Sequence, residues 1–265
     1  MTALPQVTAL PQFDIYAVRY GYCKRTHAEC FLHSDSHDVP RQLDYFVWLV
    51  VGADRAILVD TGFTEETAKA RGRTFLQCPI EAVAKLGWPA EKLTDVAITH
   101  LHYDHAGNLA RVPDVPIHIQ EAELAFATSP AMRHPLVNKP FNVDDVCEMV
   151  RRTYRDRLQF HRGDSEICPG VELKLVGGHS RGLQFLRVHT RHGWMVLASD
   201  AAHFYDTFLE RHPFPIVIDM VQTLDGYERL VAAADDPSLV IPGHDPEVLT
   251  RFPAGPMPES VHITG

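Results

Sequence analysis

The chain has 265 residues, of which 45% are hydrophobic and 22% charged, and its net charge is −9. That composition supplies a sizeable core and excludes a disordered chain. The negative balance repels phosphate backbones, so no nucleic-acid partner is expected, and no stretch approaches the roughly 18 apolar residues of a membrane span.

The opening MTALPQVTALPQF repeats TALPQ at 2–6 and 8–12. It lacks the basic and long apolar regions of a secretory signal, and residues 1–12 are read as a mobile tail. Residues 1–40 and 129–143 are expected to be irregular. Within the first of these, RTHAECFLHSDSHD (25–38) carries three histidines and Cys30 without compact ligand spacing. It is read as a mobile cover over a cleft or a homodimer contact. YFVWLVVGADRAILVDTG (45–62) predicts two strands around a turn, the first apolar enough to be covered on both faces. EETAKARGRTFL (65–76) and PIEAVAKLG (79–87) predict helices, and DVAITH (95–100) a short buried strand. VPIHIQ (115–120) predicts a strand and EAELAFA (121–127) a helix. The spacing of Val146, Met149, Val150 and Tyr154 predicts a helix over 144–158. Strands are expected at 171–178, 183–190 and 194–200, a helix at 224–234, and a last strand and turn at 239–245. The mixture suits layered α/β architecture in one domain spanning 1–265. Five scattered cysteines without a CxxC pair suit a reducing, cytoplasmic compartment.

The strand ends carry the chemistry. DVAITH runs directly into His100, His102, Asp104 and His105. Side chains two apart in an extended segment point the same way, so His100 and His102 can grip one ion. Asp104 and His105 follow a turn and can face a second. Three further apolar runs end in His179, Asp200 and His244. Seven ligands are what two ions need: three each and one bridge. A carboxylate bridges two cations through its two oxygens and a neutral imidazole does not. Asp104 and Asp200 both qualify, and Asp200 is preferred because Asp104 sits beside His105. Zinc is the default metal, with iron, manganese or cobalt compatible with the same donors.

HLHYDH at 100–105, the glycine-histidine at His179, Asp200, the glycine-histidine at His244 and LVDTG at 58–62 together resemble the metallo-β-lactamase superfamily. The resemblance implies a four-layer αββα sandwich with the metals in a cleft at the sheet edges. It assigns His100, His102 and His179 to one ion, Asp104, His105 and His244 to the other, and Asp60 to supporting the ligands from behind. Within the superfamily, HLHYDHAGN, SDAAH and PGHDP are similar to motifs of the N-acyl-homoserine lactonase group. That likeness implies a dinuclear-metal hydrolase opening a lactone ring by attack of a metal-bridging hydroxide. Those lactonases carry tyrosine three residues after the bridging aspartate. Here that position is His203, with Tyr205 two further on, and either can donate to the substrate carbonyl. Asp104 is expected to pass a proton to the leaving oxygen. Phe46, Trp48, Phe141, Phe204 and Phe214 are candidates for an apolar pocket wall. The alternatives are a glyoxalase II-like hydrolase of another ester or thioester, a mononuclear-iron persulfide dioxygenase, and a metal-buffering module.

Overall fold

The computed structural model describes residues 9–265, so the first TALPQ copy and most of the expected tail lie outside the described residues. Residues 9–12 are anchored: the Pro11 carbonyl accepts from His189 Nδ1 at 2.8 Å. The strands are β1 (Asp14–Thr26), β2 (Pro40–Val51), β3 (Ala56–Val59), β4 (Thr74–Phe75), β5 (Asp95–Ala97), β6 (Ile117–Gln120), β7 (Leu158–His161), β8 (Ser165–Cys168), β9 (Val171–Leu175), β10 (Gln184–Thr190), β11 (Gly193–Leu197), β12 (Val240–Ile241) and β13 (Ser260–His262). The helices are α1 (Glu65–Arg71), α2 (Pro79–Lys85), α3 (Tyr103–Ala106), α4 (Glu121–Ala127), α5 (Pro135–Asn138), α6 (Val143–Tyr154), α7 (Tyr205–Leu209), α8 (Met220–Ala233) and α9 (Val248–Arg251).

One sheet runs β13-β1-β2-β3-β5-β6-β7, with β4 added beside β1, and the second runs β12-β11-β10-β9-β8. Strand alternation builds the layers. On β2, Tyr45, Val47 and Leu49 join a cluster with Ile80, Val83, Phe126 and Met149 from helices α2, α4 and α6. Phe46, Trp48 and Val50 point the other way and pack with Leu173, Leu186 and Val188 of the second sheet. Tyr227 and Leu230 of α8 join that second cluster from the far side. Helices therefore cover the outer face of each sheet, the order αββα.

Several expectations change. Residues 14–26, expected to be irregular, form a long strand, because its partners β2 and β13 are remote in sequence. The helix expected over 65–76 stops at Arg71, where Gly72 takes φ 64° and closes it, and β4 follows. The helix expected over 144–158 ends at Tyr154, and Leu158 starts β7. Residues 129–143 hold a short 3-10 helix and α5. Within 25–38, one helical turn (His27–Glu29) buries Cys30 and Phe31, and the Leu32 amide donates to Pro213 O. Phe46 and Trp48 are core residues rather than pocket wall, their rings packed 5.6 Å apart between the sheets. Trp48→Ala is expected to lower unfolding free energy by about 3–5 kcal/mol, read from urea denaturation; a near-neutral result would place the ring outside the core.

Candidate metal centre

Strand direction explains why seven distant residues meet. β3, β5 and β6 are parallel, so Asp60 and the segment from Thr99 onward leave the same edge of the first sheet. β9 and β11 each run antiparallel to β10, and β12 runs parallel to β11. The residues after β9, β11 and β12, namely His179, Asp200 and His244, therefore leave one edge of the second sheet. With the sheets packed face to face, the two edges close on each other. Loops at strand ends are where a rigid scaffold holds chemistry.

His100, His102, His179 and Asp200 bring ligand atoms within 4.8 Å of one another, and so do Asp104, His105 and His244. All seven side chains are buried. Asp200 faces both groups with different oxygens. Its Oδ1 lies 2.9 Å from His244 Nε2 and 3.1 Å from His105 Nε2. Its Oδ2 lies 3.1 Å from His179 Nε2 and 3.8 Å from His100 Nε2. His203 joins Asp200 and His244 in a third ligand grouping, with Nε2 3.0 Å from Asp200 Oδ2.

The rings are oriented from behind. His179 Nδ1 donates to Ile216 O at 2.8 Å and His244 Nδ1 to Asp44 O at 2.7 Å. His105 Nδ1 donates to Asp60 Oδ2 at 2.7 Å. Each contact leaves Nε2 free to coordinate. Asp60 also accepts from the Thr99 amide at 2.7 Å and the Thr99 hydroxyl at 2.8 Å. It reaches them from φ 61°, a left-handed conformation that aspartate tolerates. His100 Nε2 and His105 Nε2 are buried without a hydrogen-bond partner among the described residues. Orphaned imidazole nitrogens beside an exchangeable carboxylate fit a divalent transition cation, and an apolar core would not keep them.

Burial and the neighbouring rings hold His100 and His102 well below the ordinary imidazole range, so both stay neutral, the ligand form. Burial opposes charge on His105, but Asp200, Asp60 and Asp104 outweigh it and raise its pKa well above the usual value. Burial also opposes the Asp200 charge, yet His244, His203, His105 and His179 hold it ionised far below the carboxylate range. Burial pushes His203 down to about 3 despite Asp200.

The centre forms the floor of a cavity of about 370 Å³. His102, Asp104, His179, Asp200, His203 and His244 line it. His203 stacks on Phe214, centroids 3.8 Å apart, and Phe214 also lines the cavity. Tyr205 does not: its ring packs with Phe208 and under Arg251, and its hydroxyl is buried without a partner among the described residues. The first turn of α7 points it into the inter-sheet core. Phe204 is wholly buried against Phe31, and Phe141 supports the His102 ring edge-on at 4.7 Å, so neither forms the wall. The wall includes Leu43, Tyr45, Tyr103 and Ile216, together with Lys24, Arg25, Arg71, Arg73 and Lys139, none of which the sequence singled out. The Tyr45 and Tyr103 hydroxyls share a hydrogen bond of 3.0 Å, and Arg73 Nε donates to Tyr103 at 3.0 Å.

Residues 41–244 match the Metallo-beta-lactamase superfamily profile. The chain is 28% identical over 255 residues to an N-acyl homoserine lactonase of a Bacillus species, covering 88% of this chain and 93% of that protein. It is 27% identical over 252 residues to the N-acyl homoserine lactonase AiiA of Bacillus thuringiensis subsp. kurstaki, with the same coverage. Among solved structures, a quorum-quenching N-acyl homoserine lactone lactonase superposes with a TM-score of 0.78 at 23% identity, over 96% of this chain and 99% of that one. AidC, a dizinc quorum-quenching lactonase, superposes with a TM-score of 0.69 at 18% identity, over 97% and 96%. The paired sheets, their helical cover and the sequence match together establish that this chain belongs to the metallo-β-lactamase superfamily.

Proposed function

We propose that this protein is a metal-dependent hydrolase that opens a lactone ring, with two divalent cations held at the cavity floor. The observation that carries the reading is Asp200: one oxygen faces the His105 and His244 side, the other the His100 and His179 side. A single-ion site has no need of a carboxylate shared in this way. The curated relatives that cover most of the chain are described as N-acyl homoserine lactonases, which favours a lactone over other carbonyl substrates.

His100, His102 and His179 would hold one cation and Asp104, His105 and His244 the other, with Asp200 between them. Bound there, the cations supply Lewis acidity and lower the pKa of a water, so that a nucleophile exists near neutral pH. The protein's own groups do the rest. Ile216 O, Asp44 O and Asp60 fix the ring tautomers so that Nε2 faces the floor. His203, neutral and fixed against Phe214, is the donor we assign to the substrate carbonyl oxygen. Asp104, at the cavity floor, would take the proton that the attacking water releases and pass it to the departing alkoxide. The Tyr103 phenol, its pKa pushed up to about 12 by burial and Asp104, remains protonated as a wall donor.

Asp200→Asn is expected to abolish lactone turnover and to lower bound metal below two ions per chain by elemental analysis, with the circular dichroism spectrum retained. Full turnover of lactones by metal-free protein would overturn the reading. Asp60→Asn keeps the backbone conformation but presents an amide to His105 Nδ1, and is expected to cost about 10–100-fold in metal affinity or activity. His203→Ala is expected to lower kcat, whereas Tyr205→Phe, which removes an unpartnered buried hydroxyl, leaves turnover unchanged. The reverse pattern would transfer the donor role to Tyr205.

A further inference from the structure

Five cations surround the cavity: Lys24, Arg25, Arg71, Arg73 and Lys139. None of them forms an ion pair with a carboxylate among the described residues, although most other surface arginines do. Above the floor, Glu29 is the one acidic group on the wall, and its carboxylate is engaged by the Thr26 amide at 2.7 Å and the Thr26 hydroxyl. In a chain of net charge −9, this is a local excess of positive charge at the mouth of the candidate metal centre. Low-dielectric walls focus such a field into the cleft.

The fold delivers these residues deliberately. A bulge between Arg19 and Gly21 shifts the register of β1 against β2. Beyond it, Cys23 pairs with Leu43 and Arg25 with Arg41, which places Arg25 on the Tyr45 face; without the extra residue it would face the other way. Arg25 Nε donates to Cys23 Sγ at 3.4 Å, and its guanidinium sits 5.7 Å from the Phe214 ring centre. Gly21 then lets β4 approach: a Cβ there would lie 2.7 Å from Thr74 O. That pairing brings Arg71 and Arg73 to the same wall. Arg71 spends its donors on Lys139 O and Phe141 O and lies 4.0 Å above Tyr103, while Arg73 keeps one contact, to Tyr103.

We propose that the cavity takes a carbonyl substrate bearing an anionic oxyacid group, carboxylate or phosphate, received by Arg25 and Arg73 with Lys24 and Lys139 at the mouth. The guanidinium fork matches either oxyanion. The inference rests on the hydrolase reading for the reaction and adds to it the charge of the substrate. A neutral acyl chain alone would leave the charges of Arg25, Arg73, Lys24 and Lys139 without a counter-charge, while Leu43, Phe214 and Ile216 provide the adjoining apolar strip.

The test uses metal-replete protein and matched substrates: γ-carboxy-γ-butyrolactone against its carboxamide, and the phosphate ester of γ-hydroxymethyl-γ-butyrolactone against the parent alcohol. The expected result is a kcat/KM preference for at least one anionic member of about tenfold or more, falling as ionic strength rises. Which pair shows it identifies the oxyanion. Arg25→Gln is expected to reduce that preference about fivefold or more, and Lys139→Gln, whose side chain is exposed and whose backbone is untouched, to reduce it less. Equal or better turnover of the neutral members, insensitive to salt, overturns the inference and leaves the hydrolase reading standing. Turnover of none of the four removes the lactonase reading. Calorimetry of the ring-opened α-hydroxyglutarate against its α-amide, and of the ring-opened phosphate ester against its parent alcohol, then decides the anion site alone. Tighter binding of either charged ligand supports it, and equal binding in both pairs overturns it.

Discussion

Asp200 is an ionised carboxylate almost wholly removed from water, and a buried charge survives only with compensation. Here the compensation is a ring of imidazoles, four of them within about three ångströms of its two oxygens. The arrangement works in both directions. The histidines keep the carboxylate ionised, and the carboxylates of Asp200, Asp60 and Asp104 keep positive charge welcome among rings that burial would otherwise keep neutral. A cation is the natural completion of such a cluster. Without one, His100 and His105 leave buried nitrogens with no partner among the described residues.

Backbone direction brings this cluster together. The side chains come from loops that leave two sheets at a common edge, and a second rank of acceptors behind them sets the rings of His105, His179 and His244. Two of those acceptors are carbonyls, Asp44 O and Ile216 O, which any residue could supply. Asp60 is the exception. It accepts from Thr99 twice and from His105 once, and so joins the ends of β3 and β5 to a ligand.

The histidine–aspartate cluster is legible in the sequence because its residues break a strong local pattern. Polar groups at the ends of apolar strands are conspicuous, and HLHYDH is conspicuous in itself. The rest depended on contacts remote in sequence. β1 carries no clear alternation by itself, since its bulge changes which residues face the core. Tyr205 is close to Asp200 in sequence, but the turn into α7 sends it to the inter-sheet core. Aromatic character alone suggests a wall position for Phe46 and Trp48, but it does not reveal which face of a buried strand a residue occupies. The basic wall left no mark at all, because Arg25 and Arg73 come together only through a two-residue pairing too short to show a period.

The cations and the clustered histidines and aspartates arise from separate parts of the chain. Arg25 rides on the free end of a hairpin and Arg73 on the segment that follows α1, whereas the imidazoles come from the strand termini of the opposite edges. The entrance charge can therefore be rewritten by substitution at Arg25 or Lys139, whereas gaining or losing a residue at the β1 bulge would also move Tyr20, whose hydroxyl donates to the Asp104 carbonyl at 2.6 Å. Point substitution at the entrance is thus separable from the floor, while a change of length in β1 reaches both.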